Sequence, residues 1–258
     1  MSGSLNIVLI PGFACSAAFM QPLADRLMSY GRVNIVELPA MGDAPALMDV
    51  SLDKVLHHLA NQINERSLVI GWSLGGMLAA QLAHRHPDKV CALVTLGANA
   101  RFVSKDDYFA AMPATVNDQF NQQFMAEPAA TLKRFYGLMA QGDCSVRSWI
   151  KLLRDKAPKI HAHWCDYLAL LAQLDNRPIL KSLTLPCLHL LAEKDALVPR
   201  AAAIALRRIN PVHGVCLLLN LAHSFVFSHP EVIVERLLEA ELLSSAVDAC
   251  QSMAETSL

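Results

Sequence analysis

The 258-residue sequence is poor in charged and aromatic residues, which make up only 17% and 6% of it. Lysine and arginine together number 22 against 23 aspartates and glutamates, so the formal net charge is −1. The lack of a surplus of either sign excludes bulk electrostatic binding to nucleic acid or to an anionic membrane. Since 53% of the residues are hydrophobic, the chain is neither disordered nor a polyelectrolyte and can bury one substantial core.

Signals of disulfide bonding, secretion and membrane insertion are also missing. The seven cysteines form no C-x-x-C pair, and several lie within apolar runs, so they are predicted to be free, buried thiols of a reducing compartment. No uncharged apolar stretch approaches the roughly 18 residues of a membrane span, and no basic segment with a cleavage site precedes the first apolar run. We therefore expect a cytoplasmic protein.

Short apolar runs without polar alternation are typical of strands that are buried on both faces. Helix-length segments separate them, which predicts an α/β fold with a doubly wound, mainly parallel sheet. The tail from Ser244 onward is small and polar and is expected to fray. The predicted strands are Leu5–Ile10, Val33–Leu38, Leu68–Ile70, Val90–Leu96, Cys187–Leu191 and Val215–Leu219. The predicted helices of this part are Met20–Tyr30, Asp53–Glu65, Leu74–Arg85, Ala201–Ile209 and Glu231 to about Leu243.

The alternation of strands and helices stops between about residues 102 and 185, where only helical patterns occur. This break predicts a helical lid, residues 103–184, inserted into an α/β core formed by residues 1–102 and 185–258. The helices predicted within the lid are Ala114–Met125, Ala129–Ala140, Val146–Asp155 and His163–Leu174.

The motif Gly71-x-Ser73-x-Gly75 lies between an apolar strand and a helix. A serine hydroxyl becomes a useful nucleophile when it stands on a tight, strained turn, and the two glycines leave room for such a turn. The helix that starts behind Ser73 supplies free N–H groups where an oxyanion would form. The alternative is a glycine-rich turn whose serine has no catalytic role.

A nucleophilic serine needs a base and a carboxylate that orients the base, and this type of fold supplies them in the order Ser, Asp, His. Asp195 closes an apolar run at the carboxyl end of a predicted strand, where such folds place their active sites. Glu193 and Asp175 are the competing carboxylates. His223 follows the last apolar run in a strand-end loop, although it could also be an ordinary loop histidine.

The remaining histidines that we considered have simpler roles. His189 lies within a strand pattern and is interpreted as a hydrogen-bonded core residue. His161 and His163 are two residues apart, a spacing that does not place side chains on one helix face, and no cysteine or carboxylate cluster supports a metal site. We expect no metal. The histidines interpreted as solvated helix residues are His57, His58, His84 and His86.

The loop Ile10-Pro-Gly-Phe-Ala14 after the first strand is the expected second part of an oxyanion hole. The backbone N–H groups of Phe13 and Leu74 are the candidate donors. The Phe13 side chain could form a wall of the substrate pocket or belong to the core. Trp72, next to the candidate nucleophile, could equally line an acyl pocket or serve packing.

Three segments, Gly-Trp-Ser73-Leu-Gly-Gly, Ala-Glu-Lys-Asp195-Ala-Leu-Val-Pro and Ala-His223-Ser-Phe-Val-Phe-Ser-His-Pro, follow one another in this order. With them the chain resembles the α/β-hydrolase superfamily over nearly its whole length. Within the superfamily it is most similar to the BioH-type pimeloyl-acyl-carrier-protein methyl ester esterases, which share these motifs and the Lys133-Arg-Phe-Tyr-Gly-Leu-Met-Ala-Gln-Gly142 segment. The resemblance implies that Phe135 contributes to the substrate pocket.

Two features depart from that family. Its His-Gly at the oxyanion loop is Pro11-Gly12 here, and its N-terminal antiparallel hairpin is missing. A backbone donor does not depend on the side chain, so the first departure concerns the shape of the pocket more than the oxyanion hole.

The near-zero net charge hides a basic segment. Residues 133–159 contain seven basic and two acidic residues, a net charge of +5. Arg147, Lys151 and Arg154 share one predicted helix face. Because the lids of similar esterases receive acidic acyl carrier proteins through basic residues, the resemblance implies that Arg134, Arg147, Lys151 and Arg154 bind such a partner. A solvated helix face is the alternative.

The resemblance implies a serine esterase that needs no cofactor. Its implied reaction is the demethylation of pimeloyl-acyl carrier protein methyl ester in biotin synthesis. A general short-chain carboxylesterase, a carbon–carbon hydrolase or lyase, and an aminopeptidase share the same triad, so the triad does not choose among them. A dehalogenase would carry aspartate at position 73. A non-catalytic ligand receptor on the same fold is the alternative from a different class.

Overall fold

The computed structural model describes residues 5–105, 107–143 and 155–251, which surround one central sheet. The six strands of these residues all run parallel in the order β2-β1-β3-β4-β5-β6, which confirms the predicted fold class. No helix in the described part of the chain combines the length and the apolar character needed to cross a bilayer. The strands are β1 (Leu5–Ile10), β2 (Gly31–Ile35), β3 (Ser67–Trp72), β4 (Val90–Leu96), β5 (Cys187–Ala192) and β6 (Gly214–Leu218).

Burial explains why the central strands lack polar alternation. Every residue of β3, β4 and β5 is buried, whereas the edge strands β2 and β6 are mostly half-buried or exposed. Parallel strands covered by helices on both faces need apolar side chains at every position. The α-helices of the described residues are α1 (Gln21–Leu27), α2 (Leu52–Asn61), α3 (Leu74–Arg85), α4 (Ala114–Ala126), α5 (Pro128–Ala140), α6 (Trp164–Gln173), α7 (Arg177–Ser182), α8 (Ala201–Ile209), α9 (Phe225–Ser228), α10 (Pro230–Glu239) and α11 (Leu242–Gln251).

The helices cover the two faces of the sheet. Helices α3 and α11 both pack on β1, β3 and β4, and they belong to two separate groups of helices. Helix α3 packs with α2 and α7, while α11 continues a layer formed by α10 and α1. The carboxyl ends of β3, β4 and β5 meet at one edge of this sandwich, where the candidate site lies.

The second strand begins and ends earlier than predicted. We expected Val33–Leu38, but β2 spans Gly31–Ile35. Gly31 lies so close to β1 that a Cβ there would be 2.1 Å from the Leu5 carbonyl oxygen, so backbone contact rather than hydrophobicity sets the start. The chain leaves the sheet after Val36, whose amide still donates to the Leu9 carbonyl at 2.8 Å.

The C-terminal region differs more strongly from the prediction. Instead of one helix from Glu231 to about Leu243, two helices meet at Glu241, whose φ of 51° interrupts the helical path. The tail expected to fray from Ser244 is helical as far as Gln251. The fraying prediction is therefore wrong for this stretch, because α11 buries apolar side chains such as Ala246 against the sheet.

Between β4 and β5 the described residues contain helices α4 to α7 and no strand. Helices α4, α5 and α6 agree with the predicted ones to within one residue at every end, and α7 was not predicted. The predicted helix Val146–Asp155 lies outside the described residues, except for Asp155. Arg101 and Arg177 form ion pairs with Asp175, which joins the two ends of this insertion.

Candidate active site

Ser73 occupies the turn between β3 and α3 with φ 54° and ψ −121°, a strained conformation for a residue with a side chain. The two flanking glycines are required by close backbone contacts. A Cβ on Gly71 would lie 2.3 Å from the Gly75 carbonyl oxygen, and one on Gly75 would lie 2.4 Å from the Ile10 carbonyl oxygen. The motif therefore folds into the tight turn that an exposed nucleophile needs.

Backbone hydrogen bonds hold Ser73 in this conformation. Its amide donates to the Leu96 carbonyl at 2.8 Å, and its carbonyl accepts from the Gly76 and Met77 amides at 3.0 and 3.1 Å. Ser73 itself lines an apolar cavity. Sheet and helix thus fix the backbone while the side chain faces the cavity.

Asp195 and His223 form a buried pair, with both side chains 1% exposed. The Nδ1 atom of His223 lies 2.6 Å from Oδ2 of Asp195. The other oxygen, Oδ1, accepts from the Leu197 and Val198 amides at 2.8 and 2.9 Å. An ionised carboxylate only accepts, so Nδ1 carries the proton and Nε2 of His223 is left as the basic nitrogen.

The Nε2 atom of His223 is buried and makes no hydrogen bond within the described residues. The His223 ring packs against Trp72, with 5.5 Å between the ring centroids, which places it beside the turn of Ser73. A direct hydrogen bond between Ser73 and His223 is not formed. Such bonds are often long in the absence of substrate and shorten when it binds.

Gly97 is a functional residue that the sequence analysis missed. It follows β4 with φ 53°, and a Cβ there would lie 3.2 Å from both Nδ1 and Cε1 of His223 and 3.5 Å from Oδ2 of Asp195. Only glycine leaves the space in which the two side chains meet. Its position directly after a buried strand at the catalytic edge was the signal that could have identified it.

The loop after β1 closes against the nucleophile. A Cβ on Gly12 would lie 3.0 Å from the Cβ of Ser73, so this glycine lets the two backbones approach. Among the described residues, neither the Phe13 amide nor the Leu74 amide donates to a backbone carbonyl or to a side chain. Both therefore remain available as donors in the turn next to Ser73, in accordance with an oxyanion hole.

An apolar cavity with about 540 Å³ of empty space extends from Ser73 under helices α4, α5 and α6. Phe13 and Phe135 both line it and contact each other edge to face, with 5.8 Å between the centroids. Trp72 does not line it. Its side chain is fully buried behind the site, between His223 and Phe227.

The competing residues lie elsewhere. Asp175 is bound to Arg101 and Arg177, and the hydrogen bond from Arg177 lowers the pKa of Asp175 to about 2. Glu193 accepts a hydrogen bond of 3.0 Å from the Asn220 amide. Neither carboxylate contacts a histidine among the described residues, so of the three candidate carboxylates Asp195 is the one that pairs with a histidine.

His189 is a core residue, as interpreted from the sequence. Its Nδ1 lies 2.7 Å from the Thr95 hydroxyl and its Nε2 lies 3.2 Å from Nδ1 of His213. His161 and His163 do face each other, contrary to expectation, with stacked rings 5.0 Å apart, because they lie in the turn before α6. No group of three metal-ligating side chains is found within the described residues.

The buried cysteines Cys15 and Cys187 are not competing nucleophiles. Cys15 follows the loop of Phe13, and complete burial raises the pKa of its thiol. Burial raises the pKa of Cys187 to about 12. Thiols in such surroundings stay protonated and unreactive.

Of the four basic residues expected to bind a partner, only Arg134 is described. It is exposed on α5, where its Nη2 atom donates to Thr131 Oγ1 at 3.0 Å and to Gln123 Oε1 at 3.3 Å. The other three, Arg147, Lys151 and Arg154, lie outside the described residues.

Comparison with known proteins identifies relatives that this chain resembles in sequence. A model of the alpha/beta hydrolase family matches residues 7–236. The biotin biosynthesis bifunctional protein BioHC of Cellvibrio japonicus is 46% identical over 244 residues, which cover 94% of this chain and 49% of that protein. The pimeloyl-[acyl-carrier protein] methyl ester esterase of Aeromonas hydrophila is 31% identical over 237 residues, which cover 89% of this chain and 92% of that protein.

The chain spans about half or less of the bifunctional relatives it matches, namely 49%, 43% and 40% of three such proteins. Among solved structures, a bromoperoxidase from Bacillus anthracis has a TM-score of 0.79 at 19% identity, covering 93% of this chain and 92% of that one. An esterase from Exiguobacterium antarcticum has a TM-score of 0.74 at 19% identity, covering 96% and 93%. At this identity the likeness concerns the fold alone.

Proposed function

The chain belongs to the α/β-hydrolase family, and from this premise we propose that it is a serine carboxylic-ester hydrolase. Ser73 is the nucleophile, His223 the base and Asp195 the carboxylate that orients the base. The observation that carries this proposal is the buried 2.6 Å contact between His223 and Asp195 beside the strained turn of Ser73. An imidazole with one nitrogen held by a carboxylate and the other unpartnered is arranged to accept a proton.

In the first half of the reaction, the Ser73 hydroxyl attacks the ester carbonyl and Nε2 of His223 takes its proton. The carbonyl oxygen becomes an oxyanion that accepts hydrogen bonds from the Phe13 and Leu74 amides. Collapse of this intermediate breaks the bond to the alcohol, which leaves with the proton from His223. The acyl group remains bound to Ser73 as an ester.

In the second half, a water molecule gives a proton to Nε2 of His223 and attacks the acyl-enzyme. The same amides hold the second oxyanion, and Ser73 leaves with the proton from His223. The products are a carboxylic acid and the free enzyme. The Asp195 carboxylate stabilises the imidazolium through Oδ2, while its Oδ1 accepts hydrogen bonds from the Leu197 and Val198 amides.

We propose the methyl ester of pimeloyl-acyl carrier protein as the substrate and biotin synthesis as the pathway. The names of the bacterial relatives support this choice, since one at 31% identity is matched over 92% of its length. The apolar cavity beside Ser73 suits a hydrophobic acyl chain. Residues 103–184, proposed as a lid, supply most of its walls through α4, α5 and α6.

An acidic acyl carrier protein is the proposed partner. Arg134 is exposed on α5, whose neighbouring residues Phe135 and Leu138 line the cavity. Asp143, one of two acidic residues in the basic segment 133–159, is buried and bonded to Ser224, so it does not belong to the surface charge. A basic surface beside the cavity would speed encounter with an acidic partner. The expected cytoplasmic location stays a prediction.

Labelling with a fluorophosphonate tests the mechanism. The wild-type protein should be labelled and Ser73→Ala should not, whereas a ligand receptor on this fold would take up no label. Rescue of a biotin auxotroph that lacks its methyl ester esterase, with Ser73→Ala as the control, tests the substrate. Labelling without rescue would favour the general esterase and disfavour the biotin role.

The partner is tested by comparing kcat/KM for a carrier-bound methyl ester and for a free short ester at low and high salt. We expect high salt and Arg134→Glu to lower kcat/KM only for the carrier-bound substrate. Arg32→Glu, on the exposed edge strand β2, is the matched control for charge reversal. An equal response of both substrates would exclude docking through this surface.

A further inference from the structure

The cavity beside Ser73 contains one unexplained polar side chain. Twelve of the described residues line it, and apart from Ser73 the only polar one among them is Asn117. Asn117 is the fourth residue of α4, next to Val116, which also lines the cavity. The cavity is otherwise built from aliphatic and aromatic side chains, so an amide at this position serves no packing requirement.

Asn117 is buried, with 5% of its surface exposed, and its side chain makes no hydrogen bond within the described residues. The three other buried asparagines are all bonded through their side chains. Asn99 bonds to the Ala110 carbonyl, and Asn176 and Asn210 each bond to backbone carbonyls. Because the Asn117 amide borders the cavity and has no hydrogen-bond partner among the described side chains and backbone groups, its polar atoms are available to a molecule that fills the cavity.

The chemistry of the cavity restricts what the amide could bind. None of the described residues that line it is charged, so a carboxylate group would enter without a counter-ion. An uncharged carbonyl oxygen fits, because the Asn117 amide group can donate two hydrogen bonds. The ligand therefore combines an apolar chain with an uncharged carbonyl.

We propose that Asn117 determines substrate specificity by donating a hydrogen bond to a second, uncharged carbonyl of the acyl chain. This inference rests on the proposed function, in which Ser73 attacks the ester at one end of the chain. The preferred substrates are then esters of dicarboxylic acids whose other carboxyl group is itself esterified or thioesterified. Simple fatty esters lack the second carbonyl, and half-esters present a charged carboxylate to an uncharged cavity.

Two esters with equal chain length test the inference. Dimethyl heptanedioate has the second carbonyl and methyl heptanoate does not. For the wild-type protein we expect kcat/KM per ester group to be roughly 2- to 10-fold higher for the dimethyl ester, the range of one hydrogen bond between uncharged groups. Monomethyl heptanedioate, the half-ester, should be the poorest of the three substrates.

Asn117→Leu keeps the size of the side chain and removes the amide. We expect it to abolish the preference by lowering kcat/KM only for the dimethyl ester. Asn117→Asp, whose carboxylate repels a carbonyl oxygen, should lower the same ratio. Val116→Ala is the matched control, because it alters an apolar wall on the same turn and should change both esters by one factor.

The outcomes separate the two proposals. If Asn117→Leu changed both esters equally, or if the wild-type protein showed no preference, the role of Asn117 would be wrong while the esterase proposal stood. If the wild-type protein hydrolysed neither ester and resisted the fluorophosphonate, the esterase proposal would fail.

Discussion

The hydroxyl of Ser224 donates a hydrogen bond of 3.0 Å to the carboxylate of Asp143, and both residues are buried. Ser224 directly follows His223, and its amide donates to the Met139 carbonyl at 2.9 Å. Met139 lies in the last turn of α5 and Asp143 follows this helix. The end of α5 therefore holds the loop that carries the proposed base.

The same segment also contacts the loop of the acid. Gly142 has φ 94°, and a Cβ there would lie 3.0 Å from the Cβ of Lys194, the neighbour of Asp195. Residues 139–143 thus touch a neighbour of each member of the His223–Asp195 pair. We infer that this segment positions the pair without touching the substrate.

Replacing Asp143 by leucine should lower kcat about tenfold with little change in KM. The variant leaves the buried Ser224 hydroxyl without its acceptor, which costs about 1–3 kcal/mol and loosens the loop of His223. Asp143→Asn keeps an acceptor oxygen and should retain most activity. Steady-state kinetics on a soluble ester check this split, and a leucine variant with wild-type kcat would refute the positioning role.

Replacing Gly97 by alanine should inactivate the enzyme without unfolding it. The new Cβ would lie 3.2 Å from the His223 ring at a residue with φ 53°, so the His223–Asp195 contact has to shift. Displacement of a catalytic group by about 1 Å lowers the rate roughly 100-fold.

Gly137 in α5 is the matched control, since a Cβ there would meet no atom within 4 Å. Gly137→Ala should preserve kcat and raise the free energy of unfolding by about 0.5–1 kcal/mol, because alanine favours the helix. Kinetics and urea unfolding measure both variants. Equal kcat in Gly97→Ala and Gly137→Ala would contradict the crowding argument.

Substitutions of the two candidate carboxylates should separate an effect on stability from an effect on catalysis. Asp175→Asn removes ion pairs of 3.1 Å to Arg101 and 2.6 Å to Arg177, side chains that are only partly exposed. We expect a loss of about 1–2 kcal/mol in the free energy of unfolding and unchanged kcat. Asp195→Asn should lower kcat by about 10⁴-fold, because the His223 ring is then held in the wrong tautomer.

The effect of Asp175 should also depend on pH. The hydrogen bond from Arg177 lowers the pKa of Asp175 from 3.8 to about 2, so the folded state favours the ionised form. Its contribution to stability is present above pH 4 and is lost as the pH falls toward 2. Wild-type protein and Asp175→Asn should therefore converge in stability at acid pH, and a constant difference would contradict the assignment.

Sequence patterns predicted the central strands well, because strands buried on both faces consist of unbroken apolar runs. Strands β1 and β4 have the predicted bounds. The edge strand β2 starts two residues and ends three residues before its predicted bounds, since its start depends on the close approach of Gly31 to Leu5. Helix α11 was missed because a polar segment with serines at 244 and 245 hides the buried Ala246.

The residues of the candidate site were likewise predicted only in part. Ser73, Asp195 and His223 follow strands or apolar runs that the sequence displays, so their order along the chain located them. Gly97 and Asn117 depend on contacts between segments far apart in the chain, such as the 3.2 Å approach of a Gly97 Cβ to His223. No local pattern encodes the contact itself, although the position of Gly97 directly after β4 marks it as a residue of the catalytic edge.

The buried pair His189 and His213 should make the protein sensitive to acid. Burial, and then the charge on His213, lowers the pKa of His189 from 6.5 to about 3, so folding favours the neutral ring. The unfolded chain binds more protons below pH 6.5, and the stability held by this group is lost as the pH falls from there toward 3.

His189→Gln should therefore flatten the decline of the unfolding free energy between pH 7 and pH 4, in which one such group contributes up to about 1.4 kcal/mol per pH unit. The glutamine can still bond to the Thr95 hydroxyl, which lies 2.7 Å from His189 Nδ1 in the wild-type protein. Urea unfolding at several pH values measures the slope, with His84→Gln on the exposed surface of α3 as the matched control. Protonating His189 would place a charge in the core. If the unfolding free energy of His189→Gln fell with pH as steeply as that of the wild-type protein, the folded state would accept this proton, and the assignment would be wrong.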